Sequence, residues 1–216
     1  MTIEKKMRKN PVVARSDMSA ATVLKLMKDE KVAKVPVLDE NGNLVGVITE
    51  KDILRANVQD RSGLSLLEMA YEVSNLPVAR IMTTDVVSIG PKTSIEDTLR
   101  LMVTQELSFL PVLEGRKLVG IMSKSDMFKI MIELFGARHY GTRITFEVQD
   151  KIGTIARLSK ALADNNISII SLCTLPTGDD PDLVSITLKV QGADEDTLVS
   201  LLSSLGLRII DQGENN

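Results

Sequence analysis

Apolar and polar positions along the first 130 residues follow two alternating periods. A short extended piece at residues 12–14 (VVA) precedes apolar residues at helical spacing, Val23, Leu24 and Met27. Two β-patterned runs follow, 35–38 (VPVL) and 44–48 (LVGVI), around Asn41-Gly42. Both turn residues tolerate the positive φ of a tight hairpin. Thr49 then leaves the strand, and Asp52 opens a helix three residues later. The pattern predicts β-α-β-β-α.

The pattern then recurs. LPVLEGRKLVGIMSKSDMF, residues 110–128, repeats the hairpin and the helix start with one residue fewer in the turn. Thr49 aligns with Ser123 and Asp52 with Asp126. Upstream, an offset of 75 aligns Met7 with Met82, Val12 with Val87, Ser19 with Ser94 and Met27 with Met102. Two copies are too few for a solenoid and predict a pseudo-symmetric pair. In the second copy Ser94 and Glu96 supply the hydroxyl and acid of a helix start, and Ile95, Leu99 and Met102 its apolar face. Between the copies, Ser65 and Glu68 have capping-box spacing and predict a connecting helix ending before Pro77.

Beyond residue 136 the pattern changes. A strand at 143–148, a turn at 150–153, a helix at 155–165 and strands at 167–172 and 183–190 precede a helix at 194–205 and a strand at 207–210. The helix is expected to present Ile155, Leu158, Ala161 and Leu162 on one face, and 176–181 to form a polar loop. This β-α-β-β-α-β order predicts a ferredoxin-like domain, so the fold class is mixed α/β (α+β). A sheet this small leaves an edge or face to be covered, hence a homodimer is expected.

Composition narrows the function classes. The net charge of −3 argues against nucleic acid, which requires a basic face. No apolar run approaches a membrane span and no signal peptide opens the chain, so a cytoplasmic protein without a membrane partner is expected. Single residues of Cys (Cys173) and His (His139) exclude an intramolecular disulfide and a cysteine metal cluster. Phosphate-loop and metal-ligand spacings are missing, so no enzyme and no metal are expected. A hydroxyl and a carboxylate at a helix start can accept a ribose diol beside phosphate-binding N–H groups. They can equally cap the helix, with Asp52 and Asp126 at the N-cap, and spacing leaves both readings open.

The doubled string PVL…LVGVIT-x-x-D and PVL…LVGIMS-x-x-D resembles a tandem CBS-domain pair, the Bateman module. FEVQDKIGTIARLSKALADNNISII resembles an ACT domain, and the succession of the two is similar to the acetoin-utilisation AcuB group. The resemblance implies CBS repeats at 1–60 and 80–135, a connecting helix at 61–79, a linker at 136–141 and an ACT domain at 142–216. It implies a regulatory adenine-nucleotide sensor (AMP, ADP or ATP, with S-adenosylmethionine or NAD as options) that acts on a further protein and needs no catalytic cofactor. A protein-interaction scaffold that binds no nucleotide is the alternative.

Carried over residue by residue, the first site comprises Thr49 and Asp52 with Val12, Val13, Val35 and Pro36. The second comprises Ser123 and Asp126 with Val87, Ser88, Leu110 and Pro111. Lys34, Lys51 and Lys124 stand where they neutralise phosphate, or lie on a solvated face. Asp150, Lys151, Ile152, Gly153 and Asn166 match an ACT amino-acid site, with Gly153 also explicable by close packing of the turn on its helix. The copies are inequivalent, since Ser123 replaces Thr49 and Phe109 replaces Lys34.

Overall fold

The computed structural model describes residues 1–56, 75–178, 180 and 182–215. The connecting helix expected after Ser65 lies outside them. The chain forms two compact units, Met1–Met127 and Phe128–Asn216.

In the first unit, β1 (Ala14–Arg15) pairs parallel with β2 (Lys34–Leu38), which pairs antiparallel with β3 (Leu44–Thr49). The second copy repeats this with β4 (Phe109–Glu114) and β5 (Lys117–Ser123), while its first extended piece makes a single parallel bridge, Ile89 to Val112. Helices α1 (Ala20–Asp29) and α3 (Ile95–Thr104) lie between strands one and two of each copy, and α2 (Glu50–Ala56) and α4 (Lys124–Leu134) follow each hairpin. Ser19 and Ser94 cap α1 and α3 by accepting from the Thr22 and Asp97 amides. The hairpin turn forms because Gly42 takes φ +78 and the Asp39 carboxylate accepts from the Asn41 and Asn43 amides.

Strand alternation fills each core. Val35, Val37 and Ile48 pack with Ala14, Val23 and Met27. Val35 and Leu110 are wholly enclosed, and period two puts Lys34, Pro36, Phe109 and Pro111 on the opposite face of their strands.

The segments that precede the copies are exchanged. The 3-10 turn Ile3–Lys5 seats Ile3 in the second half, with the Ile3 amide donating to the Thr93 carbonyl at 3.0 Å. The turn Val78–Arg80 puts Val78 in the first half's core, with its amide on the Met18 carbonyl at 2.9 Å. Arg8 then bridges Ile121, and Thr83 bridges Val47. Gly46 and Gly120 permit these crossings, since a Cβ would lie 2.9 Å from the Thr83 carbonyl oxygen or 3.0 Å from that of Arg8.

The second unit is a four-stranded antiparallel sheet in the order β7-β8-β6-β9, with β6 Gly141–Gln149, β7 Ser168–Pro176, β8 Leu183–Gln191 and β9 Arg208–Asn215. Helices α5 (Thr154–Asp164) and α6 (Glu195–Ser204) contribute Leu158, Leu162, Leu198 and Leu202 to its core. Ile155, expected on that core face, is 49% exposed. The last strand runs five residues past its apolar part because backbone pairing with β6 continues to Asn215. The chain from Phe128 belongs to this unit: Lys189, buried, donates to the Gly136 carbonyl at 3.1 Å, and Ser171 Oγ donates to that of Phe135 at 3.0 Å.

Candidate functional site

Each hairpin delivers its hydroxyl to the residue before a helix, with the carboxylate at the helix's third position. Thr49 Oγ1 donates to Asp52 Oδ2 at 2.7 Å, and the Thr49 amide donates to the same oxygen at 2.9 Å. The Asp52 amide returns a bond to Thr49 Oγ1 at 3.2 Å. This is a reciprocal capping box in which Thr49 is the cap and Asp52 completes it, so the expectation of Asp52 and Asp126 at the cap itself is corrected: the cap is the hydroxyl residue three positions earlier. Ser123 and Asp126 repeat the box, at 2.5 Å between Ser123 Oγ and Asp126 Oδ2 and 3.2 Å for each amide bond.

The surroundings differ. Arg8 Nη2 lies 3.4 Å from Asp126 Oδ1. Burial pushes the pKa of Asp126 up, but the Ser123 hydroxyl and amide and the Arg8 guanidinium outweigh it and hold the carboxyl below the usual range. Beside Thr49 a cavity of about 230 Å³ opens, walled by Lys34, Val47 and Thr49 of the first copy and by Thr83, Asp85, Val87, Glu106, Phe109 and Pro111 of the second. Lys34 Nζ donates to Ser108 Oγ at 2.7 Å in this wall.

The cavity regroups the expected residues. Thr49 meets Val87 and Pro111, which were expected with Ser123, because the Thr83–Val47 bridge leads the second copy's first segment across the end of β3. Val12, Val13, Pro36, Ser88 and Asp52 do not wall it. Lys51 and Lys124 are exposed at the first turns of α2 and α4. Thr83, Asp85 and Glu106 were missed; the offset of 75 from Arg8, Asn10 and Lys31 is the signal that finds them once the exchange is seen.

In the second unit Asp150, Lys151 and Gly153 border a cavity of about 200 Å³ with Val148, Ile155 and Thr174. Ile152 projects fully into solvent. Gly153 has φ +88 and nothing within 4 Å of a built Cβ, so backbone conformation, not close packing, calls for glycine. Asn166 is not at this cavity. It takes φ +57 in the turn at the far end of α5, where its amide donates to the Ala163 carbonyl. Among the described residues no group of three or more His, Cys, Asp or Glu is arranged to hold a metal, and no helix is long and apolar enough to cross a membrane.

Comparison with known proteins fits this geometry. A CBS-domain model matches residues 3–59 and 73–133, and an ACT-domain model matches 142–207. The chain belongs to the CBS-domain family, as a tandem pair followed by an ACT domain. It is 28% identical over 135 residues to protein MJ1404 of Methanocaldococcus jannaschii, covering 61% of this chain and 32% of that protein, about a third of its length. A Vibrio cholerae protein assigned to acetoin utilization (AcuB) superposes with a TM-score of 0.54 at 25% identity, covering 64% of this chain and 95% of that one. CBSX2 in complex with AMP superposes with a TM-score of 0.52 at 25% identity, covering 61% of this chain and 96% of the other.

Proposed function

We propose that the chain is a non-catalytic regulatory protein of the cytoplasm that senses adenine nucleotides through its CBS pair. The observation that carries the reading is the hydroxyl–carboxylate box repeated at Thr49–Asp52 and Ser123–Asp126, the first beside a cavity of about 230 Å³ walled by Thr49, Val87, Phe109 and Pro111. Each box offers a hydroxyl and a carboxylate to a ribose, and the apolar walls of the cavity beside Thr49 suit a base. The AMP bound by CBSX2 on the same fold supports it. Ligand acts by its differential affinity for two arrangements of the pair, and a partner protein responds. The ACT domain pairs two chains and takes an amino acid at Asp150, Lys151 and Gly153.

Calorimetry of the full chain with AMP, ADP and ATP tests this: heat and a thermal shift at millimolar nucleotide are expected, and the absence of both for all three rejects it. A second reading, a scaffold that binds no nucleotide, draws support from the capping boxes, which already give each carboxylate its partners. Under that reading Asp52→Ala changes stability and no binding event. Gel filtration with light scattering tests the pairing, expected to be lost in a chain cut after residue 138.

A further inference from the structure

The two boxes sit among opposite charges, and we propose that they divide adenosyl ligands by charge: an uncharged or cationic adenosyl compound at Thr49, a phosphorylated one at Ser123 and Asp126. The inference rests on the nucleotide reading above. Equivalence of the surroundings is structural as well as sequential. Arg8 bridges Ile121 as Thr83 bridges Val47, and Ala14 pairs with Val37 as Ile89 does with Val112. Lys31 and Glu106 share left-handed backbones, at φ +54 and +53. Arg8, Asn10 and Lys31 therefore stand where the other site has Thr83, Asp85 and Glu106.

These six positions invert the field. At these positions one site has two cations, Arg8 and Lys31, and the other has two anions, Asp85 and Glu106. Among the described residues, the cavity beside Thr49 sets both carboxylates against one ammonium, and that ammonium already donates to Ser108 Oγ. A phosphate monoester there adds almost two negative charges to a wall that is net negative. A neutral nucleoside avoids the repulsion, and a cationic adenosyl compound gains from it. Phe109 provides a ring on which a base can stack whatever the ligand's charge. At about 230 Å³ the cavity lies below the roughly 300–1,000 Å³ usual for ligand pockets, in keeping with a small ligand. At the other box Arg8 is held 3.4 Å from Asp126, within a side-chain rotation of whatever the carboxylate binds. A guanidinium there meets phosphate with two parallel N–H donors.

Calorimetric titration of the full chain with adenosine and with AMP tests the division. AMP is expected to retain a binding event while adenosine is saturating. Arg8→Thr with Lys31→Glu should weaken AMP about tenfold and leave adenosine within about twofold. Asp85→Asn with Glu106→Gln should let AMP displace adenosine. All four side chains are on the surface, so the variants keep the fold. Full competition between the probes in the unmodified chain, or AMP affinity unmoved by Arg8→Thr/Lys31→Glu, overturns the division. Failure of both probes to bind the unmodified chain rejects instead the nucleotide reading on which it rests.

Discussion

Thr49–Asp52 and Ser123–Asp126 are the same hydroxyl–carboxylate box in two electrostatic settings. Their internal bonds match within a few tenths of an ångström. One opens onto a cavity bordered by Asp85 and Glu106, while the other holds Arg8 against its carboxylate. Duplication fixes the strand, turn and cap that build the box. What distinguishes the sites is contributed by the exchanged segments, 1–10 and 77–85, and by the turns that carry Lys31 and Glu106.

The largest way to break this comparison is at the crossing itself. Gly46→Ala should cost about 3 kcal/mol in urea unfolding, because its Cβ meets the Thr83 backbone and Met82 cannot yield alone. Asp126→Ala should cost about 2 kcal/mol and Asp52→Ala about 1 kcal/mol. Both lose a capping box, and only the former strips Arg8 of its ion partner. Equal losses would mean that Arg8 adds nothing to the second box.

Acid sharpens the contrast further. The Asp126 carboxyl is held below its ordinary value, so the stability it contributes is complete above the unfolded value near about 4 and is lost as pH falls through the lower folded one. The unmodified chain should therefore lose stability below about pH 4 more steeply than Asp126→Asn, as followed by thermal melts across that range. The smallest effect is expected for Lys34→Ala. Its bond to Ser108 is exposed, so stability should change by no more than about 0.5 kcal/mol in the same melts.

Much of the fold was legible in the chain. Period-two runs gave both hairpins, Asn41-Gly42 gave the turn, and Ser94 gave the start of a helix, because each depends on neighbours within a few residues. The hydroxyl–carboxylate pair was equally local. Its partners were not. Val35 and Leu110 look like Pro36 and Pro111 in a sequence, and only the register of the sheet sends one pair to the core and leaves the other on the opposite face. Asn166 matched a motif, yet its place is set by a left-handed helix end remote from Gly153.

The sequence by itself determined two copies of one β-α-β-β-α unit, a β-α-β-β-α-β tail, and a capped helix following each hairpin. Those features come from side-chain periodicity and backbone hydrogen bonds that reach three or four residues. Tertiary structure alone decided that Thr49 faces Val87 and that Arg8 faces Asp126. Burial of Ile3 in one half and of Val78 in the other pulls each leading segment across the pair. No pattern within a single copy records that choice, because Ile3 and Val78 are seated beside Thr93 and Met18, which lie 90 and 60 residues away along the chain.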